Sequence, residues 1–417
     1  EAAPPAIGLL ISLPQEVDVA IVGAGYTGTV AALTCARAGR SVVLIETEDP
    51  GYGGSTRNGG MIGSGHRVGF DDLSRQYGEN IAEEVLREGL RALEYATGLI
   101  KDEEIDCDFR RCGRFRGAWQ RGDYDVIGRE VDFLRKKIGL EAHMVPRAEQ
   151  HREIAADAYH GGCVYTSHGG LHPAKFYRGI LDKAIAAGVQ VAARTAVTAI
   201  KRTGAAFVVQ TTRGTFRAGE VIVASNGYST RAEPSLRRKV IPIASYMIAT
   251  EPLGTDRVKA MIPGRRMIVE TRSQHCYYRP SPDGERILLG ARAALSHIDP
   301  AKSAISLRRL LVDLFPDLKD MRVSHSWLGT LGFSKDHLPH IGTTPGSVHY
   351  ALGYSGSGVA MAPYLGWRVA NKVLGTEEGA TGFDSIRHPD VLLRDFVPLG
   401  LPMVNVWYRI KDLMEGS

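Results

Sequence analysis

The sequence predicts a mixed α/β fold (α+β overall) in which two discontinuous units interleave. Three observations predict it. A strand–helix–strand unit with a glycine turn occupies residues 17–46. An α/β pattern recurs over 17–100, 145–240 and 325–380, whereas 101–144 and 241–324 are rich in short strands; residues 381–417 are left as a tail expected to pack on the first unit. The 417 residues carry 44% hydrophobic and 23% charged side chains, the mix of a globular chain long enough for two domains.

The elements follow in order. Residues 17–23 form an apolar strand and 26–39 a helix whose small residues Thr29, Ala31, Ala32 and Ala36 mark a close-packing side. Residues 41–46 form a second apolar strand, and the unit has the length of a right-handed crossover between parallel strands. Residues 51–65 contain seven glycines in fifteen and break all periodicity. Ile81, Val85, Leu86, Leu90, Leu93 and Ile100 then recur at helical spacing. An Arg-rich strand (109–116) and a helix (124–138) come next, then a helix over 176–187 and strands over 189–193 and 196–200. A hairpin leads to 220–225, which is apolar on both sides and therefore expected in the centre of a sheet. Residues 240–290 read as strands, 342–353 as a further strand, and 360–374 as a closing helix.

Composition narrows the function classes. Gly, at 48 residues, exceeds the ordinary share of roughly 7% and signals tight turns or close backbone approach to a ligand. The net charge of +5 favours anionic ligands in general, but without a Lys/Arg block it gives no nucleic-acid signature, and no nucleic-acid partner is expected. No apolar run approaches the ~20 residues that span a bilayer. The first residues, Glu1-Ala-Ala-Pro-Pro, lack an initiator Met and a positively charged signal peptide and read as a trimmed or engineered end. Five scattered cysteines (Cys35, Cys107, Cys112, Cys163, Cys276) read as reduced thiols, with no metal site and a cytoplasmic location expected.

The chemistry concentrates in Gly23-x-Gly25-x-x-Gly28 between the first strand and helix. Gly23 permits the tight turn, Gly25 lets the backbone approach a pyrophosphate, and Gly28 allows helix–strand packing. Tyr26 and Thr27 then open a helix whose N-terminal N–H groups suit phosphate. Glu46, followed by Thr47, ends the second strand, where a carboxylate accepts both ribose hydroxyls and repels a 2′-phosphate. This is a Rossmann-type dinucleotide site, and the triplet leaves NAD and FAD both open.

With the motifs that follow, the chain resembles the D-amino-acid-oxidase-type family of FAD-dependent amine and amino-acid oxidoreductases, nearest the γ-glutamylputrescine oxidoreductase branch. Five stretches carry the likeness: residues 23–28 with Glu46, Ser55-Thr-Arg-Asn-Gly-Gly-Met61, Leu171-His-Pro-Ala-Lys-Phe176, Val221-Ile-Val-Ala-Ser-Asn-Gly-Tyr228, and Gly353-Tyr-Ser-Gly-Ser-Gly-Val359. Ser245-Tyr-Met-Ile-Ala-Thr-Glu-Pro252, Trp327-x-Gly329 and Asp336-x-x-Pro-x-Ile-Gly342 add to it, over about residues 17 to 412. The resemblance implies a Rossmann-type FAD-binding domain with an interleaved antiparallel-β substrate domain. It implies that Ser55, Thr56, Arg57, Asn58, Gly59, Gly60 and Met61 wrap the pyrophosphate and one flavin edge. Val197 would meet the adenine, while Ala224, Asn226 and Gly227 would line the ribitol side. Gly329 joins these, and Tyr354, Gly356, Ser357, Gly358 and Val359 would pass beneath the flavin. The family often has His where this chain has Ser357. Relatives that tether the flavin use a Cys ahead of the Asp-x-x-Pro motif or a His in the glycine loop. Neither is present here and Asn58 stands at the loop position, so non-covalent FAD is expected.

For the substrate, the resemblance directs attention to the β-rich unit and to the loop after the glycine run: His66, Tyr246, His275, Tyr278, Arg279 and Arg292. Arg279 is expected to fork onto a substrate carboxylate, with Arg292 as the alternative, and His275 to accept the amine proton. Tyr277 and Tyr278 alternate across a strand, so at most one faces the pocket. The expected activity is oxidation of an amine or amino-acid C–N bond by hydride transfer to flavin N5, the imine then being hydrolysed, with O₂ or another electron acceptor completing turnover. An NAD-dependent dehydrogenase and an RNA-modifying flavoprotein are the competing readings. The apolar, proline-bearing stretch 396–413 is expected to pack back on the first unit rather than to meet a membrane or partner.

Overall fold

In the computed structural model, which describes residue 10 and residues 12–272, 276–291 and 297–391, strand β1 (Glu16–Val22) enters the core at once. Val17, Val19, Ala20 and Ile21 leave little polar surface on either of its faces. Helix α1 (Tyr26–Arg37) follows a three-residue turn, and β2 (Val42–Ile45), buried at every position, runs parallel to β1. The glycine-rich stretch holds one helical turn, α2 (Gly54–Arg57), and the two-residue strand β3 (Met61–Ile62). Helices α3 (Phe70–Tyr77) and α4 (Glu79–Asp102) follow; α4 buries Val85, Leu86, Ala92, Leu93, Ala96 and Ile100 along one stripe.

The chain then crosses to a second sheet through β4 (Arg114–Gly117), α5 (Arg121–Ile138), β5 (Ala142–Val145) and β6 (Gly162–Tyr165). β4 starts later than the predicted 109–116 because Gly113, with φ +76°, breaks the extended backbone; Arg110 makes only an isolated bridge to Gly170. Strand β7 (Gly169–Gly170) returns to pair with β3, and α6 (Pro173–Ala186) leads to β8 (Gln190–Ala192) beside β2. Strands β9 (Val197–Thr203), β10 (Ala206–Thr211) and β11 (Gly214–Val223) form an antiparallel meander, whose last half inserts parallel to β1. After α7 (Pro234–Arg237) the second sheet resumes with β12 (Ile241–Thr250), α8 (Thr255–Met261), β13 (Met267–Glu270), β14 (Tyr277–Pro280), β15 (Ile287–Ala291), α9 (Pro300–Leu314) and β16 (Val323–Phe333). The chain returns to the first sheet with β17 (His340–Thr343), β18 (His349–Leu352) and α10 (Gly358–Leu374).

The first sheet has the order β17-β18-β11-β1-β2-β8, parallel from β18 to β8, with β10 and β9 branching from β11. β11 thus takes the central place read from the apolar run at 220–225. The second sheet has the order β16-β12-β15-β14-β13-β4-β6-β5 and is antiparallel except between β13 and β4. β6 and β16 belong to this sheet as well. Helix α9 covers one face of this sheet, burying Leu307, Leu311 and Leu314 against it.

Register decides what the other face presents. Tyr246, Ile248, Tyr278, Leu289, Ile268 and Phe115 share the α9 side in one buried cluster. The alternating residues Ser245, Met247, Tyr277, Arg279, Met267 and Arg114 therefore face the first unit. Residues 381–391 lie on that unit: Phe383 is buried against His66, and Val391 donates its N–H to Arg238. Residues 392–417, with the apolar stretch 396–413, lie outside the described residues.

All five cysteines are free, and burial pushes the Cys35 thiol up to about 12 and Cys163 to about 11. Among the described residues no helix is long and apolar enough to cross a membrane, and no His/Cys/Asp/Glu group is placed to hold a metal.

Candidate functional site

The turn from β1 into α1 is built around absent side chains. Gly23 has φ +100°, and a Cβ on Gly28 would overlap the Gly23 carbonyl, so α1 sits directly on the turn. Gly25 is the N-cap and supplies no side-chain cap, and the first turn of α1 holds no acid. An uncapped helix N-terminus is a partial positive charge with donors to spare. From across the turn, Ser55 Oγ accepts the Tyr26 N–H at 3.0 Å. Glu46, at the end of β2, accepts the Ala24 N–H at 2.9 Å and the Glu48 N–H at 3.2 Å. Burial raises its pKa, and the N–H groups of Ala24, Glu48 and Thr47 oppose that rise. Its two oxygens keep lone pairs for further donors such as ribose hydroxyls.

A cleft opens over this turn. Gly23, Gly25, Tyr26, Thr27, Glu46 and Thr47 line it from one side, together with Val197 from β9. Ser55 and Asn58 from the glycine-rich loop and Ala224 and Asn226 from the end of β11 line it further. Tyr354, Gly356, Gly358 and Val359 bring the start of α10 into the same cleft. That helix also begins without a side-chain cap or an acidic first turn, Ser357 Oγ donating instead to the Tyr354 carbonyl at 2.8 Å. α10 reaches this position because Gly366 packs on the Thr27 backbone, where a Cβ would come within 3.0 Å of its Cα. Asn226, at φ +44°, accepts the Gly353 N–H at 3.0 Å and ties β11 to the α10 turn. Two helix N-termini, a terminal acid and a glycine loop in one cleft fit a dinucleotide with a second charged or polar end.

Other residues predicted for the cofactor stand behind the lining. Thr56 Oγ1 donates to the Gly51 carbonyl, and the Arg57 guanidinium lies over the Tyr52 ring at 4.7 Å. The Arg57 carbonyl accepts the Trp327 Nε1–H at 2.9 Å, and Gly329 leaves room for the Arg57 side chain. A Cβ on Gly227 would come within 2.8 Å of the Leu331 carbonyl. Gly59, Gly60 and Met61 continue the loop into β3; Asn58 Oδ1 accepts the Gly60 N–H at 2.8 Å and the Gly60 carbonyl accepts from Leu171.

The expected substrate residues are placed differently. Arg279 is buried, and it donates through Nε to the Gly59 carbonyl at 2.6 Å and through Nη2 to the Leu171 carbonyl at 2.8 Å. Two of its three guanidinium nitrogens are therefore held by main chain, and it clamps the loop. Tyr278 is fully buried on the α9 face, with its hydroxyl on Tyr159 at 2.9 Å. Tyr246 shares that face, and its hydroxyl accepts the Ile298 N–H at 2.6 Å. Both point away from the cleft because they have the wrong parity. His66 Nε2 donates to the Val85 carbonyl at 2.8 Å, its ring edge-on to Phe383; burial lowers it to about 4, so it is a neutral packing residue. His275 and Arg292 lie outside the described residues. The residue that faces the loop is Tyr277: a Cβ on Gly59 would come within 2.9 Å of its ring, and its hydroxyl meets Ser245 Oγ at 3.1 Å. Met247 and its strand partner Trp327 stand beside it. Gly290, paired with Tyr277 across β14–β15, leaves the space this ring fills and was the available signal for its parity.

Residues 18–372 match the family model described as FAD dependent oxidoreductase (DAO). The chain is 32% identical over 366 residues to "Probable oxidoreductase OrdL" of Rhizobium meliloti, covering 87% of this chain and 84% of that protein. It is 30% identical over 372 residues to gamma-glutamylputrescine oxidoreductase of Escherichia coli, covering 89% and 87%. The fold is similar to that of glycine oxidase from Geobacillus kaustophilus, with a TM-score of 0.74 at 23% identity over 87% of this chain and 96% of the other. These matches replace the NAD-dependent alternative with FAD.

Glu46→Gln tests the acid at the cleft. Loss of charge-assisted bonds to ribose should weaken FAD binding roughly 10- to 100-fold by titration of the apoprotein. A carboxyl whose folded pKa is raised destabilises the apoprotein increasingly as the pH rises above its unfolded value, and fully above the folded one. At pH 7 the apo variant should therefore melt no lower than wild type, and any advantage should vanish as the pH falls to about 4.

Proposed function

The chain belongs to the DAO family of FAD dependent oxidoreductases, and we propose that it oxidises the C–N bond of an amine or amino acid. The observation that carries this reading is the wall formed by Met247, Tyr277 and Trp327 opposite the glycine-rich loop. The relatives named for amine and amino-acid substrates, gamma-glutamylputrescine oxidoreductase and glycine oxidase, support it.

FAD, when bound, supplies the hydride acceptor. Glu46 would take the ribose, the N-terminus of α1 the pyrophosphate, and the N-terminus of α10 the charge that develops on the reduced ring. The protein's remaining work is to place the substrate carbon against that ring and to keep the amine neutral. An ammonium is disfavoured beside the apolar surfaces of Met247 and Trp327, because burial penalises the charged form. Loss of a hydride from the carbon of the neutral amine then leaves an iminium, which gives up its N–H proton to become the imine, and water hydrolyses it to a carbonyl compound and a free amine. O₂ or another electron acceptor completes turnover. FAD is held non-covalently: Asn58 hydrogen-bonds the Gly54 and Ser55 carbonyls where a tethering His would stand.

Anaerobic addition of amines and amino acids should bleach the flavin absorbance. The bleaching rate should rise with pH as the substrate ammonium loses its proton. No bleaching by any amine, or a rate flat from weakly acidic to strongly basic pH, would contradict the reading. Acid precipitation should leave a yellow supernatant over a white pellet.

A further inference from the structure

Three arginines lie on or beside the face of the second sheet that looks toward the glycine-rich loop, and two have partners. Arg279 is satisfied by the Gly59 and Leu171 carbonyls. Arg116 pairs with Glu130 at 2.7 Å. Arg114 has neither carboxylate nor carbonyl partner among the described residues, and its Nε is buried without an acceptor. Burial lowers its pKa to about 10, so it remains a cation at neutral pH. A guanidinium nitrogen buried without an acceptor is costly unless something completes it.

A second unsatisfied donor lies close by. His168 is 2% exposed, and its Nε2 accepts the Ser64 N–H at 3.2 Å, with Ser64 Oγ 3.0 Å away. An Nε2 that accepts from a main-chain N–H puts the proton of the neutral ring on Nδ1. That Nδ1 is buried without a partner. Burial and the Arg114 charge both lower the His168 pKa, so the ring stays neutral. Gly63 joins the two donors: a side chain there would come within 2.7 Å of His168 Nδ1 and 3.0 Å of Arg114 Nη2. Two donors without an acceptor, both packed closely against a residue that has no side chain, describe a seat for an anion.

We propose that Arg114, His168 and Gly63 form a subsite for a carboxylate carried by the amine substrate, remote from the carbon that is oxidised. Gly63 lies two residues beyond Met61, or about 7 Å along an extended chain, so the subsite suits the far end of a substrate whose amine lies against the cofactor. The guanidinium fork matches a carboxylate bidentately, and the Nδ1–H adds a donor from a second element. The assignment rests on the amine-oxidation reading for the identity of the ligand, but the binding of an anion can be read without turnover.

Calorimetric titration of the FAD-loaded protein with glutarate and with the uncharged glutaramide tests it. Wild type should bind glutarate at least ~10-fold more tightly than glutaramide, and Arg114→Met should abolish that preference while leaving the flavin spectrum unchanged. Arg114→Lys, which keeps charge without the fork, should fall between them. Equal binding of the two ligands by wild type, or a preference that survives Arg114→Met, would overturn the subsite. Inorganic phosphate displacing glutarate at equal concentration would overturn its assignment to a substrate carboxylate. The two proposals fail separately. Amines that bleach the flavin with no glutarate preference would leave the reaction standing without this subsite, whereas a glutarate preference with no bleaching would leave an anion site without the reaction.

Discussion

The clamp of Arg279 on the glycine-rich loop is the interaction on which the two halves of this protein depend. The loop leaves the first sheet after β2, crosses the cleft and must pass under the second sheet without a regular partner for most of its length. Its carbonyls at Gly59 and, through β7, Leu171 are taken by one buried guanidinium from β14. Trp327 from β16 holds the Arg57 carbonyl in the same way. A buried cation without a carboxylate is tolerated here because carbonyl dipoles surround it. The glycines are the other half of the bargain: a Cβ on Gly60 would collide with both the Leu171 carbonyl and the Arg279 side chain.

Once the loop is held, the rest of the site follows from where helices begin. α1 and α10 each start without a side-chain cap, and the Gly366–Thr27 contact brings the two helices against each other. Their N-termini then share one cleft with Glu46. Neither helix end is paired with an acid in its own first turn, so the electrostatic preference for an anionic cofactor is left uncancelled. The second sheet lends Thr330, Leu331 and Gly332 of β16 to the cleft lining, and a wall whose parity sets Met247 and Tyr277 toward the loop and sends Tyr246 and Tyr278 into the α9 core.

The local parts of this arrangement are legible in the sequence. Gly23, Gly25, Gly28 and Glu46 fall within one strand–helix–strand unit, and their spacing alone states how they meet. The central place of 220–225 follows from its two apolar faces. What is not legible is decided by contacts between distant segments. Arg279 has the right charge for a carboxylate anchor, yet its partners lie 220 and 108 residues away and are main-chain atoms that no side-chain pattern reveals. Tyr277 and Tyr278 are adjacent and chemically alike, so only the pairing of β14 with β15 tells which one faces the loop. The proximity of Arg114 and His168 is hidden for a similar reason, since Gly63, the residue both approach, lies about fifty residues ahead of one and a hundred ahead of the other.

Hydrogen exchange on the FAD-loaded protein tests the clamp most directly. The Gly60 and Leu171 amides, which bond Asn58 Oδ1 and the Gly60 carbonyl, should exchange slowly in wild type. In Arg279→Met they should exchange at least ~10-fold faster, because the Gly59 and Leu171 carbonyls lose their donor, while the amides of β1 and β2 keep their wild-type rates. Unchanged protection at Gly60 and Leu171 in that variant would show that the loop is held without Arg279 and would contradict the account.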